Sequence, residues 1–109
     1  DDIFRLFVIP ADRKLDSTAI RLRFNVKKTR FATREELLDL TGLVPGSVPP
    51  FGHPILPFEL FADAIVGIEH DRVAFNAGSL THSIIMSASD WIKVAQPQRF
   101  DFAKAADAT

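Results

Sequence analysis

Val44-Pro45-Gly46-Ser47-Val48-Pro49-Pro50-Phe51-Gly52-His53-Pro54-Ile55-Leu56-Pro57 divides this chain in two. It holds five of the seven prolines and two of the five glycines of the sequence. Proline removes amide donors and fixes φ, so the segment is neither a helix interior nor a central strand. A flexible linker would not carry Val48, Phe51, Ile55, Leu56 and, just beyond, Phe58. The composition predicts a rigid, partly buried loop, the kind of scaffold-held segment on which sites are built.

On its N-terminal side, Ile3-Phe4-Arg5-Leu6-Phe7-Val8-Ile9 is a β-branched and aromatic run closed by Pro10, which predicts an inner strand. Ala11 to Lys14 reads as a turn, after which Asp16 or Ser17 caps a helix over 18–24 that stops at Asn25. Lys28 to Phe31 reads as a short strand. Thr33-Arg34-Glu35-Glu36 fits a capping box opening a helix over 34–40, with Leu37, Leu38 and Leu40 on its apolar side and Gly42 as its left-handed stop.

On the C-terminal side, strands are expected over 60–66, 72–76 and 83–86, joined by the turns Glu69-His70-Asp71 and Asn76-Ala77-Gly78-Ser79. Ser87 or Ser89 caps a helix over 90–95 that ends before Pro97, and residues 98–109 read as a frayed tail despite Phe100 and Phe102. The order of elements predicts an α+β fold with a mixed, mainly antiparallel sheet and short flanking helices.

The whole chain has 109 residues, the size of one domain, and 47% of them are hydrophobic, which excludes a disordered tail. Without cysteine there is no disulfide, thiolate zinc site or thiol nucleophile. No apolar stretch reaches the roughly 20 residues of a membrane span, and Asp1-Asp2 opens no signal peptide, so the expected location is the cytoplasm, with no membrane partner. Net charge is −1, but residues 1–34 carry nine Lys/Arg against four Asp, and residues 35–109 carry four basic against ten acidic groups. That asymmetry is either a solvated face or a basic face for a polyanion.

The three histidines, His53, His70 and His82, form no metal-ligand spacing, and no nucleotide-binding or hydrolase-elbow motif is present. Neither a metal nor a cofactor is expected. The pairs Asp12/Asp16 and Glu69/Asp71 sit in turns and read as caps or solvated groups. Two segments remain. Gly46 to His53 bends the backbone and turns amides and carbonyls toward a cavity, and Asn76 to His82 adds small residues with Asn, Ser, Thr and His as polar handles. Each alone reads as a structural turn; together on one small sheet they read as a shared pocket.

These segments resemble the YbaK/prolyl-tRNA-editing domain family, the aminoacyl-tRNA deacylases. The match runs through Phe7-Val8-Ile9-Pro10-Ala11-Asp12-Arg13-Lys14-Leu15-Asp16, Lys27-Lys28 with Glu35-Glu36-Leu37, Thr41-Gly42 with Gly46 to His53, and Asn76-Ala77-Gly78-Ser79. Gly46 to Pro50, similar to the family's GxxxP loop, is the most specific part.

The resemblance implies a barrel-like sheet, an editing domain over residues 1–97, and hydrolysis of the ester of mischarged tRNA, with tRNA(Pro)-type substrates expected. It implies that Gly46 and Pro50 act through their backbone, and that Ser47, Val48, Pro49, Phe51, Gly52 and His53 hold the aminoacyl group. Asn76, Ala77, Gly78, Ser79 and His82 would form the facing wall. Val48, Phe51 and Leu56 are the candidates for the apolar side of the pocket, with plain core as the other reading. The basic residues Arg21, Arg23, Lys27, Lys28 and Arg30, with Arg34, are then expected to meet tRNA.

The family's essential lysine lies on a strand ahead of the segment matched by Asp1, so Lys14, Lys27 and Lys28 do not take that role by position. A chain of this extent is expected to expose apolar sheet surface to a synthetase or a second copy. The alternative function is a non-catalytic tRNA- or synthetase-binding module.

Overall fold

Leu6 and Val8 on one face and Phe7 on the other make Arg5–Val8 a half-buried strand (β1). Among the described residues it lies at the edge of its sheet and not inside it as expected. Its partner Glu59–Asp63 (β3) is buried from Leu60 onward. The computed structural model describes residues 3–69 and 71–105. The other elements are β2 (Arg13–Leu15), α1 (Ser17–Phe24), α2 (Arg34–Thr41), β4 (Arg72–Asn76), β5 (Ser83–Ser87), α3 (Ala88–Ala95), β6 (Gln98–Phe100) and β7 (Ala103–Ala105). Among the described residues no helix is long and apolar enough to cross a membrane.

The three helices form where their caps predict. Asp16 Oδ1 accepts from the Thr18 and Ala19 amides, and Asn25 ends α1 at φ 54°. Thr33 and Glu36 form the reciprocal capping box of α2, and Gly42 ends it at φ 73°. Ser87, rather than Ser89, caps α3 through the Asp90 amide. The apolar side expected for α2 is not covered, since Leu38 and Leu40 are 52% and 39% exposed.

The central sheet has the order β1-β3-β6 and is parallel throughout, with Phe7 opposite Phe61 and Phe61 opposite Gln98. The two other sheets are antiparallel pairs, β2 with β7 and β4 with β5. The expectation of a mainly antiparallel sheet is thus corrected at its centre. Residues 9–58 and 64–97 supply crossovers long enough for parallel pairing. The architecture is α+β in several small sheets, and no sheet closes into a barrel among the described residues.

Successive side chains of the central sheet point to opposite faces. On one face Leu60, Ala62, Val66 and Trp91 form a core joined by Leu6, Val8, Phe51, Val73 and Met86. On the other, Ile20, Phe61 and Phe102 pack with Phe7, Phe24 and Phe100. The rings of Phe7, Phe24, Phe61 and Phe102 meet edge-on or stacked at centroid distances of 5.1–6.2 Å, arrangements their quadrupoles favour.

Residues 98–105 are not a tail. They supply β6 and β7, and Phe102 is 1% exposed. The cause is Asp63, whose Oδ1 accepts from the Phe102 and Ala103 amides at 2.6 and 2.7 Å. Its Oδ2 accepts from the Ile65 amide, which turns the chain and ends β3 three residues earlier than expected. The strand expected over 28–31 is absent, because Arg30 is drawn to Glu36 and the chain there pairs with no neighbour. Arg13 and Lys14, expected in the turn over 11–14, are drawn with Leu15 into β2 by the β7 edge. His70 and residues 106–109 lie outside the described residues.

Candidate active site

Pro45 and Gly46 occupy the centre of a turn closed by the Ser47 amide on the Val44 carbonyl at 3.1 Å. Gly46 has φ +90°, which the second central position of a type II turn requires. The Ser47 hydroxyl donates back to the Val44 carbonyl at 2.8 Å and is 2% exposed with its residue, so it closes the turn instead of facing outward. Beyond it the Phe51 amide reaches the Pro49 carbonyl at 2.9 Å, and the His53 amide reaches the Phe58 carbonyl at 3.2 Å. The His53–Pro54 peptide is cis. From below, Trp91 Nε1 of α3 donates to the Pro50 carbonyl at 2.9 Å.

The β4–β5 turn meets this loop directly. Asn76 Nδ2 donates to the Gly46 carbonyl at 2.5 Å, and the Gly78 amide donates to the Ser47 carbonyl at 3.0 Å. Asn76 Oδ1 accepts from the Ser83 hydroxyl, which fixes the amide's orientation. Phe51 packs edge-on against Phe75 of β4 at 5.5 Å. Leu80 lies over Gly46, with its Cδ2 at 3.4 Å from the position a Cβ there would take. Within the turn, the Ser79 and Thr81 hydroxyls converge on His82 Nδ1 at 3.3 and 3.0 Å.

The two expected segments are therefore one assembly. The carbonyls of Gly46, Ser47 and Pro50 are all engaged, while the Gly46 and Val48 amides donate to no described group. Two uncommitted amides beside an exposed turn can hold a carbonyl oxygen or an oxyanion. Val48 and Pro49 are half-buried, His53, Ala77 and Gly78 are exposed, and Ser79 and His82 stand on the facing wall. Gly52 is a packing position, since a Cβ there would come within 2.6 Å of the Phe58 carbonyl oxygen. Leu56 is 7% exposed and belongs to the core.

Sequence reasoning placed Leu80 and Thr81 in the second segment without a role for Leu80, and it missed Ser83 and Trp91. For Trp91 the available signal was its being the one indole of the chain, with an N–H that needs a partner when buried.

The structure does not bring the basic residues to this assembly. Arg21 and Arg23 belong to α1 and Lys27, Lys28 and Arg30 follow it; α1 packs on the sheet face opposite Phe51 and Trp91. Arg21 bonds the Ser17 and Thr18 hydroxyls, Arg23 lies 5.3 Å over the Phe100 ring, and Arg30 pairs with Glu36. A groove of about 550 Å³ lies on this α1 face. Among the described residues no group of three or more His, Asp and Glu gathers to hold a metal ion.

The family model of the aminoacyl-tRNA editing domain matches residues 1–94. The chain belongs to this family. The editing-domain chain is 34% identical over 102 residues to the multifunctional Ser/Thr-tRNA deacylase ProXp-y of Escherichia coli, an alignment covering 93% of this chain and 60% of that protein. It thus spans about 60% of the length of the curated relatives it matches.

Among solved structures, hypothetical protein APE2540 superposes with a TM-score of 0.73 at 22% identity, covering 90% of this chain and 65% of that one. A scaffold protein used for computational epitope grafting superposes with a TM-score of 0.76 at 20% identity, covering 93% and 65%. At these identities the likeness establishes the fold. Gly46 to Pro50, the GxxxP loop of this editing-domain chain, is the segment clamped by Asn76, Gly78 and Trp91.

Proposed function

We propose that this chain forms the loop-bearing part of an aminoacyl-tRNA deacylase, which hydrolyses the ester between a wrongly attached amino acid and the tRNA 3′ end. One observation carries the reading: Asn76 and Gly78 hold the Gly46 and Ser47 carbonyls and leave the Gly46 and Val48 amides uncommitted. As water or the neighbouring ribose hydroxyl adds to the ester carbonyl, negative charge develops on its oxygen. Preorganised amides at that point stabilise the charge by about 3–4 kcal/mol per donor in comparable sites. The substrate's ribose and a bound water supply the nucleophile, so the loop positions groups and donates no side chain to the reaction.

Ser and Thr esters are the first substrates to test, because the Escherichia coli relative bears the name Ser/Thr-tRNA deacylase. The hydroxyls of Ser79 and Thr81 and the ring of His82 add polar groups able to meet a side-chain hydroxyl. A site built to bond a hydroxyl separates substrates far better than an apolar pocket that senses one methylene. The tRNA(Pro)-type esters of Ala and Cys form the second panel.

The reading places the chain in the cytoplasm, with the basic residues of 21–30 toward the tRNA body and a synthetase or second copy over exposed apolar surface. The second reading, a binding module without turnover, rests on the uneven charge of the chain, with nine Lys/Arg against four Asp in residues 1–34.

Deacylation of Ser-, Thr-, Ala- and Cys-tRNA decides between them. Release of amino acid above the buffer rate, reduced by Asn76→Ala, is expected. Salt-dependent tRNA binding with no release from any of these esters selects the module.

A further inference from the structure

The groove on the α1 face has a chemistry of its own. Phe7 and Phe24 line it, and the Arg5 guanidinium lies 3.9 Å over the Phe24 ring. Lys28 and Phe31 line it as well, and Phe31 is 79% exposed. Among the described residues its lining includes the cations Arg5, Lys28 and Arg30 and no Asp or Glu, in a chain whose net charge is −1. Arg30 is held by Glu36, whereas Arg5 and Lys28 form no ion pair with any described residue. Arg5 Nε is buried without a hydrogen-bond partner.

Exposed phenyl and cationic groups without carboxylates match a ligand that carries flat rings on a polyanionic backbone. We infer that this groove holds an unpaired stretch of RNA, with phosphates against Lys28 and Arg5 and a base on the Phe31 ring. A base inside a duplex has no free face to offer that ring, so the groove selects single strands.

The inference rests on the deacylase reading for the identity of the RNA and goes beyond it by adding a second contact surface. The groove and the Gly46–Pro50 loop lie on opposite faces of the central sheet. A tRNA whose 3′ end enters the loop is then gripped again past β1, an edge strand of that sheet among the described residues.

Fluorescence anisotropy with the 109-residue chain, a labelled short single-stranded RNA and a duplex of the same sequence tests this. Tighter binding of the single strand is expected. Phe31→Ala should weaken it by about 5- to 150-fold, the range of one lost base stack, and Phe31→Trp should restore it. Lys28→Gln should reduce the slope of log affinity against log salt by about 0.7. Phe31 is exposed, so a thermal melt of Phe31→Ala should superpose on that of the parent chain.

Equal affinity for duplex and single strand overturns the inference. So does unchanged binding in both Phe31→Ala and Lys28→Gln, or displacement of the RNA by an acidic peptide at equal charge concentration. Hydrolysis and binding read separately: groove-dependent binding without amino acid release sinks the deacylase reading alone. Release with binding indifferent to Phe31 and Lys28 sinks the groove alone.

Discussion

Asn76 Nδ2 donates to the carbonyl of Gly46 at 2.5 Å across 30 residues of sequence, and this bond joins the two loops of the site. Asn76→Ala removes it together with the bond from the Ser83 hydroxyl. Both bonds are exposed, so together they are worth about 1 kcal/mol, which urea denaturation would read. Under the deacylase reading kcat/KM falls by about tenfold or more, because freeing the turn by 1.4 kcal/mol already costs that factor. Asn76→Asp still accepts from Ser83 but sets an anionic oxygen against the Gly46 carbonyl, so it should be the less active variant. Equal activity of all three chains would contradict the clamp.

Gly46 and Gly52 sit six residues apart and fail differently when changed to alanine. At Gly46 the φ of +90° strains any L residue by about 1–2 kcal/mol, and the close neighbour among the described residues is the flexible end of Leu80. At Gly52 the new Cβ would press on the Phe58 carbonyl oxygen at 2.6 Å and on the Leu60 Cβ at 3.1 Å, so backbone must move. Gly52→Ala should cost about 1–3 kcal/mol of stability. Gly46→Ala should show the larger loss of activity per unit of stability lost, a contrast that paired melts and deacylation rates would display.

Glu36 makes the start of α2 sensitive to acid. The Arg30 guanidinium first, and then the Thr33 amide, hold its carboxyl down from 4.5 to about 2. A depressed folded value means the contribution is complete above about pH 4.5 and disappears as pH falls toward 2. Amide resonances of residues 33–37 should therefore shift and lose protection across that interval. Glu36→Gln still accepts from Thr33 but cannot titrate, so its α2 should lack this acid transition. An α2 that frays identically in both chains would remove Glu36 from the account.

What was legible in the sequence was local. Caps at Asp16, Thr33 and Ser87 bond amides two or three residues away, so the helices could be placed from short windows. The two site loops were visible for the same reason, since Pro45-Gly46 and Asn76 to Ser79 are turns by composition. Their joining was not, because nothing near Asn76 says which carbonyl it meets. The parallel pairing of Phe61 with Gln98 and the antiparallel pairing of Lys14 with Lys104 likewise join residues far apart in the sequence. Ala103-Lys104-Ala105 has no strand character of its own and is a strand only because Leu15 and Asp63 hold it.

Asp63 is the residue on which that last segment depends. It is 4% exposed, and its carboxylate accepts from the amides of Ile65, Phe102 and Ala103. Bonds to a charged acceptor contribute about 1.5–3 kcal/mol each, and a buried amide left without a partner costs about 1–3 kcal/mol more. Asp63→Ala should therefore destabilise the chain by about 3 kcal/mol or more and release β6, β7 and the Phe102 ring together. Asp63→Asn retains one accepting oxygen and should lose less. Hydrogen exchange at Phe102 and Ala103 would separate the cases: fast exchange in Asp63→Ala with slow exchange at Thr18 and Ala19 places the loss at this carboxylate. Unchanged protection at Phe102 would show that strand pairing and the aromatic packing hold the C-terminal strands without the Asp63 carboxylate.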